Sequence, residues 1–545
     1  MYILNVIPLI KIPYPNPQIL SYFGETAVKI GGMVKIPIRK KKINAIVVDC
    51  KKLEKEKMRL KKFADFQIKP IDKIISKESI LTDKQIKLLF WISDYYFAPI
   101  GLVARIFLSK KLPLYIKNSL ILTPKNKGII FSPFKNLESI TIEDESSDLY
   151  RSWGRKPYYD VRIIAKQLAK IHNAKLTLKI ARPRRVSPGL KNSKLVDMRE
   201  EMKNGNFSII SRELQENLTK HNKSILYIAR RGTATFILCR ECGYVSMCPA
   251  CDVPMIYHED KPSRRLVCHH CGKDDIAPVL CPKCKSIKIK YFGAGTQKVE
   301  SEIKKLFPDK NPEKSPAAIN GARIFRLDSD TAEKPEQQQK IIKEFNQNKN
   351  AILIGSQMLL NKGLKADLVA VISIETILNL PDYKSSERVF QTINQLQKMA
   401  KKDFLIQTYK PDNFAIKTAL ANDFKKFYDE ETKIRKAFNY PPFSQIIKLS
   451  FEHKDPITAK NQAKILTEKL KTQIKSFQPK AGPPRAEKID VELLGPVPAF
   501  IPKVARIYRW NIIIKSSIKD LNLRNRILII VPSRWEIEVD PETLL

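Results

Sequence analysis

Alternating apolar and polar residues open the chain and predict short strands at 28–30, 34–38 and 43–48. A basic turn, Arg39 to Lys42, joins the last two of them. The pattern then changes to helical spacing over 83–96, where aromatic residues recur on one face. The sequence therefore predicts a small β-barrel or curled sheet followed by a helix.

Short apolar runs continue through the next hundred residues and predict strands at 120–123, 129–131 and 140–142, followed by a helix over 161–174. From residue 225 onward, strands and helices alternate more regularly. The predicted strands are 225–229, 288–292, 322–326, 351–354 and 370–374, and the predicted helices are 296–306 and 335–346. This alternation is typical of a parallel sheet. The proline-rich stretches 308–316 and 479–484 read as loops or linkers.

Charge changes this picture because it indicates a class of partner. Lys and Arg number 98 against 56 Asp and Glu, which gives a net charge of +42. Counterion release rewards basic surfaces that bind polyanions, so the charge favours nucleic acid, although an AT-rich genome would also enrich lysine. Glycine is scarce at 18 of 545 residues, which leaves few places for a phosphate-cradling loop.

The sequence shows neither a membrane span nor a secretion signal. The most apolar window, 88–108, is interrupted by Asp94, Pro99 and Arg105. Prolines and a lysine break the apolar run at the N-terminus. We therefore expect a soluble cytoplasmic protein with no membrane partner.

Eight of the nine cysteines lie between Cys239 and Cys284, in four Cys-x-x-Cys pairs. Each pair has the form of a zinc knuckle, and two knuckles supply the four thiolates of a tetrahedral site. The spacing therefore predicts two closed, structural zinc sites, with sequential, interleaved and nested pairings all open. His269 and His270 stand between two of these cysteines and are alternative ligands. Cys50 is a single cysteine on an apolar strand, and this position predicts a packed thiol.

Motifs on both sides of the cysteines resemble those of a known family. They read ILYIARRG at 225–232, GAGTQ at 293–297, RLDSD at 326–330 and GSQML at 355–359. Near the start stand VKIP at 34–37, DYY at 94–96 and PIG at 99–101. Near the end stand YPPF at 440–443, GPVPA at 495–499, YRW at 508–510 and VDP at 539–541. Their order resembles primosomal protein N′, the PriA family of bacterial replication-restart helicases.

The resemblance implies a multidomain α/β protein in four parts. Residues 1–112 would form a β-rich 3′-end DNA-binding domain, and 113–215 a truncated remnant of helicase lobe 1. Residues 216–430 would form a superfamily 2-like helicase lobe 2 with a double zinc-ribbon module inserted at 239–288, and 431–545 an α+β C-terminal domain. The family's zinc pairing is nested. It implies one site from Cys239, Cys242, Cys281 and Cys284, and a second from Cys248, Cys251, Cys268 and Cys271.

Departures from the family's pattern concern ATP hydrolysis. No G-x-x-x-x-G-K-[ST] loop occurs, and the winged helix and first half of lobe 1 have no counterpart before FSPFKN at 131–136. The Walker B box aligns with Glu143 and Asp144, and KIARP at 179–183 replaces a G-S-A-T-P motif. Met399 and Lys402 stand at the positions of the arginine fingers. Because a finger alone is worth about 10³ to 10⁵ in rate, the sequence predicts a helicase-like body without a motor and without ATP or Mg²⁺ as cofactors.

Candidate DNA contacts come from the basic turn and from positions that match the family. LSY at 20–22 matches an F-D-Y run whose carboxylate captures a DNA 3′ end, so a serine replaces that acid. The candidates are Ser21, Tyr22, Lys35, Arg39, Lys40, Lys41, Lys42, Arg230, Arg231, Ser356 and Gln357. These residues could also have no role in DNA binding, since basic turns are often only solvated and arginines after a strand often pair with carboxylates.

The first interpretation is a DNA-binding protein of replication restart or primosome assembly that recognises forked or single-stranded DNA. Two alternatives stay open: a still-active ATP-dependent 3′–5′ DNA helicase with a divergent nucleotide site, and a zinc-ribbon RNA-binding protein. The resemblance also implies primosome proteins, a replicative helicase loader and single-strand binding protein as partners. The implied location is the bacterial cytoplasm, in association with the nucleoid.

Overall fold

The computed structural model describes most of the chain and shows a multidomain α/β protein. The described residues are 1–52, 68–108, 115, 117–143, 145, 148–152, 156–179, 192–229, 236–260, 263–291, 296–306, 318–319, 322–328, 331–360, 362–477, 491–517 and 520–545. Of the predicted features, Asp144, Arg230, Arg231, residues 293–295 and 180–183, and both proline-rich stretches lie outside them.

The first sheet closes on itself as the N-terminal barrel. Its strands are β1 Tyr2–Pro8, β2 Leu20–Gly24, β3 Met33–Ile38, β4 Lys41–Lys52, β5 Lys69–Pro70 and β6 Lys73–Ser76. They follow the order β5-β2-β1-β4-β3-β6. Because β5 and β6 are consecutive in the chain yet pair with opposite edges, segment 69–76 joins the two edges. Apolar side chains from alternate positions, among them Leu4, Val34 and Val47, fill the interior.

Two helices and a small parallel sheet follow the barrel. The helices are α1 Asp83–Tyr96 and α2 Ile100–Leu108, and the small parallel sheet contains β7 Ser119–Leu122, β8 Ser139–Glu143 and β9 Lys175–Lys179, covered by α3 Val161–His172. Their apolar side chains share one hydrophobic core with the C-terminal sheet described below. Tyr95 of α1 donates a hydrogen bond of 2.6 Å to Asp540, and Arg151 pairs with Glu538 at 2.9 Å. These segments therefore pack as one body although they are far apart in sequence.

A seven-stranded sheet occupies the middle of the chain. Its strands are β10 Asn192–Asp197, β11 Lys223–Ile228, β17 Ala318–Ile319, β18 Ala322–Leu327, β19 Ala351–Gly355, β20 Ala366–Ser373 and β21 Ala400–Thr408. The order is β10-β21-β20-β11-β19-β18-β17, with every pair parallel except β17 with β18. Ile225 and Tyr227 face one core, and Leu226 and Ile228 face the other. The sheet is therefore buried on both faces, as parallel sheets are.

Helices cover both faces of this sheet. They are α4 Met198–Lys203, α5 Arg212–Lys220, α6 Thr296–Leu306, α7 Pro335–Gln347, α8 Glu375–Leu378, α9 Ser385–Gln397 and α10 Phe414–Leu420. Between β11 and α6 the chain leaves the sheet to form the cysteine module, residues 236–291. Its strands are β12 Ile237–Cys239, β13 Ile256–Asp260, β14 Ser263–Val267, β15 Asp274–Ile276 and β16 Ile289–Tyr291.

The C-terminal sheet is antiparallel. After α11 Phe424–Ala437 come β22 Gln445–His453, α12 Pro456–Ser476, β23 Val491–Val504, β24 Ile507–Ser516, α13 Leu521–Leu528 and β25 Glu536–Val539. The strand order is β23-β24-β22-β25, and α12 packs on one face through Ala459, Ala463, Leu466 and Leu470.

Several predicted elements are wrong. Residues 28–30 lead into a turn instead of a strand, because Gly31 adopts a φ of +84°. Residues 129–131 lie in a 3₁₀ turn that local hydrogen bonds between Thr123 and Asn126 support. The strand predicted at 288–292 is present as β16, but it pairs with β12 in the cysteine module and does not join the parallel sheet. Strand β10 pairs with β21, so residues 192–215 lie with the seven-stranded sheet and not with the small parallel sheet to which the boundary at 215 assigns them.

Candidate metal centres and nucleic-acid interface

Eight thiols converge in two groups of four. The outer thiol group contains Cys239, Cys242, Cys281 and Cys284, and the inner thiol group contains Cys248, Cys251, Cys268 and Cys271. Within each group the sulfur atoms lie within 4.8 Å of one another. The structure therefore has the nested arrangement, in which the first and last knuckles enclose the two between them.

The sulfur spacing fits a tetrahedral zinc ion. A Zn–S bond of about 2.3 Å places the sulfurs of a tetrahedron about 3.8 Å apart. The Sγ atoms of Cys239 and Cys284 are 3.6 Å apart, and those of Cys248 and Cys271 are 3.7 Å apart. Burial raises the pKa of the Cys242 thiol to about 12 and of the Cys248 thiol to about 11. Such groups are costly to bury as isolated thiolates, and a cation among them would compensate that cost.

All four knuckles share one backbone geometry. In each, the residue after the second cysteine donates its N–H to the carbonyl of the first, as in the 2.9 Å bond from Gly243 to Cys239. That residue has a positive φ in every case, at Gly243, Asp252, Gly272 and Lys285. Glycine is required at 243, because a Cβ there would lie 2.3 Å from the carbonyl oxygen of Tyr409. The outer group is thus packed against the end of β21.

Two histidines beside the inner thiol group connect it to the C-terminal sheet and to the loop before α9. His269 Nδ1 donates to the carbonyl of Pro498 at 3.1 Å, and His270 Nε2 donates to the carbonyl of Pro381 at 2.8 Å. The Tyr440 hydroxyl lies 3.1 Å from both His270 Nδ1 and the carbonyl oxygen of Cys251. Burial lowers the pKa of His270, which favours the neutral ring. The two histidines therefore hold domains together and are not part of either thiol group.

Ser21 lies in a polar row that crosses three strands of the N-terminal barrel. Its hydroxyl donates to Asn5 Oδ1 at 2.7 Å, and Asn5 Nδ2 donates to Asp49 Oδ2 at 3.1 Å. Lys51 pairs with the same carboxylate at 3.2 Å. The sequence analysis missed Asn5 and Asp49, because only the strand register brings them beside Ser21. The row therefore contains a carboxylate, that of Asp49, and the side chain of Asn5 lies between it and Ser21.

Tyr22 and Lys35, two of the predicted DNA contacts, differ in accessibility. Tyr22 is buried inside the barrel, where its hydroxyl donates to the carbonyl of Pro37 at 2.9 Å. Lys35 is half-buried on β3, between Asn44 and Lys73 of the neighbouring strands. The Tyr22 ring therefore packs inside the barrel, and its role as a DNA contact stays a prediction.

The basic turn is a two-residue hairpin between β3 and β4. Arg39 and Lys40 form its tip, where Arg39 has a φ of +51°, and Lys41 pairs with Ile38. The four basic residues are exposed, and Lys42 contacts Asp72 at 2.5 Å. Along β4 the hairpin lies at the opposite end from Asp49. The polar row and the basic turn are therefore separate surfaces of the barrel.

Ser356 and Gln357 follow β19 at the carboxyl edge of the seven-stranded sheet. Ser356 is 3% exposed, whereas the Gln357 side chain faces solvent. Nearby, Glu375 is buried and accepts hydrogen bonds from Thr408 and from the backbone of Tyr409. Of the two predicted contacts at this edge, Gln357 is exposed and Ser356 is buried, and both stay predictions.

A cavity of about 580 Å³ lies between α9, α11, the flank of the small parallel sheet and the chain's last residues. Met399 lines the cavity, whereas Lys402 is exposed and pairs with Asp367 at 3.4 Å. Glu145 also lines it, but Glu143, the proposed Walker B acid at the end of β8, is not among the lining residues.

Several cations of the cavity wall are already paired with carboxylates. The ion pairs are Lys384 with Glu542 at 3.2 Å, Arg388 with Asp382 at 3.2 Å and Arg435 with Glu387 at 2.8 Å. Aromatic rings form another part of the wall, with Phe390 and Phe427 stacked 4.2 Å apart.

Within the described chain, no helix is long and apolar enough to cross a membrane.

Three family models match separate parts of the chain. Residues 9–109 match the model described as "3'DNA-binding domain (3'BD)" of PriA, and residues 248–274 match the "PriA DNA helicase Cys-rich region (CRR) domain". Residues 436–542 match the "Primosomal protein N C-terminal domain". The matches fall on the N-terminal barrel with its two helices, on the inner thiol group and on the C-terminal sheet.

Curated relatives from distant bacteria agree with these matches. The Replication restart protein PriA of Bacillus subtilis is 32% identical over 424 residues, which cover 71% of this chain and 49% of the relative. The protein of that name from Synechocystis sp. is 32% identical over 458 residues, or 77% of this chain and 52% of the relative. The one from Borreliella burgdorferi is 33% identical over 419 residues, or 71% and 58%. The chain spans about half the length of the curated relatives it matches, and together these findings show that it belongs to the PriA family.

Proposed function

We propose that this chain is a DNA-binding protein of replication restart that recognises forked or single-stranded DNA and has lost ATP hydrolysis. The observation that supports this most is the N-terminal barrel, which matches a 3′-DNA-binding domain and exposes both a polar row and a basic hairpin. A net charge of +42 adds a general attraction to phosphate. Primosome proteins, a replicative helicase loader and single-strand binding protein are proposed partners, in the cytoplasm near the nucleoid.

The cavity supports the loss of the motor. Phosphoryl transfer needs amides and a lysine around the phosphates, a bound Mg²⁺ and an arginine finger. Here the finger position is Met399, and three wall cations are held by carboxylates instead of facing open space. In this proposal the seven-stranded sheet is helicase lobe 2 and the small parallel sheet is what remains of lobe 1.

We expect the two thiol groups to bind one zinc ion each. With four cysteines per site no coordination position stays open, so the ions would stabilise the cysteine module without doing chemistry. Elemental analysis of purified protein should give two zinc ions per chain. A content of one or none would contradict this assignment.

DNA binding is expected to depend little on a free 3′-hydroxyl. The Ser21 hydroxyl already donates to Asn5, and Asp49 is engaged by Asn5 and Lys51, so no unshared carboxylate is offered to a terminal hydroxyl. Fluorescence anisotropy with forks ending in a 3′-hydroxyl or a 3′-phosphate should show less than tenfold discrimination, about 1.4 kcal/mol.

Two variants at this position sharpen the measurement. Ser21→Asp places a carboxylate in the row and should raise the preference for the hydroxyl, because a negative charge accepts the stronger hydrogen bond and repels the phosphate. Ser21→Ala is the matched control and should leave the ratio unchanged. Discrimination of tenfold or more by the parent chain would show that the row reads 3′ ends without an acid at position 21. Absence of fork binding at low salt would overturn the proposed function itself.

A further inference from the structure

The two thiol groups differ in how far solvent reaches their cysteines. Three cysteines of the inner group are at most 1% exposed, and the fourth, Cys271, is partly buried. In the outer group Cys239 and Cys281 are buried and Cys242 is partly buried, whereas Cys284 is exposed. The structure describes all nine cysteines of the chain, and Cys284 alone among them is exposed.

A second thiol and two lysines lie beside Cys284. The Sγ atom of Cys239 is 3.6 Å from that of Cys284, and the flanking residues Lys283 and Lys285 are both exposed. Cysteines that oxidants attack lie in exposed, electropositive surroundings, often next to a thiol that can close a disulfide. Cys271, the most accessible cysteine of the inner group, has no lysine or arginine next to it in the chain. Solvent access and local charge therefore both favour oxidation at the outer group.

The outer thiol group lies where the cysteine module joins the seven-stranded sheet. Its first cysteine ends β12, which pairs with β16, so the strands by which the chain enters and leaves the module meet beside it. Phe236, Leu238 and Tyr409 belong to one apolar cluster at this junction, and Tyr409 directly follows β21. Opening the outer group would therefore loosen the base of the module, while the bond from His269 to the C-terminal sheet remains.

We propose that the outer thiol group is an oxidation-sensitive site, at which a peroxide converts Cys239 and Cys284 into a disulfide. The Cys284 thiolate attacks one oxygen of hydrogen peroxide, the O–O bond breaks and hydroxide leaves, which gives a sulfenic acid at Cys284. The Cys239 thiolate then attacks that sulfur, so that an S–S bond forms and the S–O bond breaks with loss of a second hydroxide. Two electrons pass from two thiolates to one peroxide molecule, and the group loses two of its four ligands for zinc.

Zinc release and disulfide mapping test this proposal. Purified chain is treated with a small excess of hydrogen peroxide while a chromogenic chelator records free zinc. One zinc ion per chain should be released at least about tenfold faster than the other, because the inner cysteines are shielded from solvent. Mass spectrometry of unreduced peptides should find a disulfide between Cys239 and Cys284 after the fast phase. Dithiothreitol with added zinc should reverse both changes.

Two histidine variants locate the sensitive cysteine. Cys284→His keeps a zinc ligand, since three cysteines and one histidine can hold a structural zinc ion, but an imidazole cannot form a disulfide. This variant should retain both zinc ions and slow the fast release at least about tenfold. Cys271→His is the matched control in the inner group and should leave the fast release unchanged. Cys50→Ser should also leave it unchanged, because Cys50 belongs to neither group.

The outcomes that would overturn the proposal are equally specific. They are release of both ions at one rate, a first disulfide within the inner group, and a fast release that Cys284→His does not slow or that Cys271→His slows equally. Zinc content is measured before oxidation, and if Cys284→His holds one ion only, the disulfide mapped in the parent chain decides. A parent chain purified without zinc would contradict the expected occupancy before any oxidant is added. Since no DNA is present, failure of this proposal is distinct from failure of the proposed function.

Discussion

Replacing Cys268 with serine is expected to release one zinc ion and to loosen the C-terminal sheet from the cysteine module. Replacing Cys281 should also release one zinc ion but leave that contact in place. The difference arises because the inner thiol group positions His269 and His270 against the C-terminal sheet and the 381 loop, whereas the outer group packs against Tyr409. Hydrogen exchange along β23, read together with zinc content, measures both effects.

The size of the effect follows from the hydrogen bond that is lost. The bond from His269 joins β23 to the inner thiol group, and its loss, at about 1 kcal/mol, would lower the protection of the β23 amides about fivefold. His269→Ala separates the contact from the metal, because it should remove the hydrogen bond to Pro498 of β23 while both zinc ions remain bound. His269→Asn should restore part of the protection, since an amide can still donate to the carbonyl of Pro498. Equal loosening in the Cys281 variant would show that the two groups act as one unit.

No DNA-stimulated ATP hydrolysis is expected above the assay blank, and no nucleotide-dependent strand separation. Loss of an arginine finger alone costs about 10³ to 10⁵ in rate, and the phosphate loop is missing as well. The structure adds that Met399 lines the cavity while Lys402 points away to Asp367. Phosphate release measured with and without fork DNA, beside a helicase with an intact phosphate loop, tests this.

The variants for this test are chosen by position. Glu145 lines the cavity and Glu143 does not, so a surviving activity that depended on this segment should respond to Glu145→Ala. A clear turnover that disappears in Glu145→Ala or Glu143→Ala would establish a working nucleotide site and refute the loss of the motor. Turnover that co-purifies with the chain but is unaffected by either change would favour a divergent nucleotide site and would also refute the loss of the motor.

The thiol groups were predictable because metal coordination leaves a local mark in sequence. Cys-x-x-Cys spacing sets the geometry of each knuckle within a few residues, and every knuckle closes with the same backbone bond. What the spacing left open was the pairing, which depends on how the strands of the module fold together. The partner of His270 could not be found in this way, because Tyr440 lies 170 residues further along the chain.

Contacts between residues far apart in sequence also explain the strand and the polar residues that the sequence analysis missed. Strand β10 has the sequence NSKLVD, which lacks an apolar pattern, and its partner β21 begins more than two hundred residues later. Asn5 and Asp49 become neighbours of Ser21 only through the register of three strands. Helix α1 was predicted at its observed bounds, because both its capping residue Thr82 and its apolar spacing are local signals.

The nesting of the two thiol groups has a consequence for the order in which the cysteine module assembles. The chain from Asp252 to Val267 closes the inner group, whereas the chain from Gly243 to Leu280 must close the outer one. The longer stretch has more than twice as many residues, which adds about 0.8 kcal/mol of loop-closure entropy. Once the inner group has formed, it shortens the path that remains between the outer knuckles. A metal-depleted chain should therefore bind its first zinc ion at the inner group. That binding should lower the entropy cost of closing the outer group around the second ion.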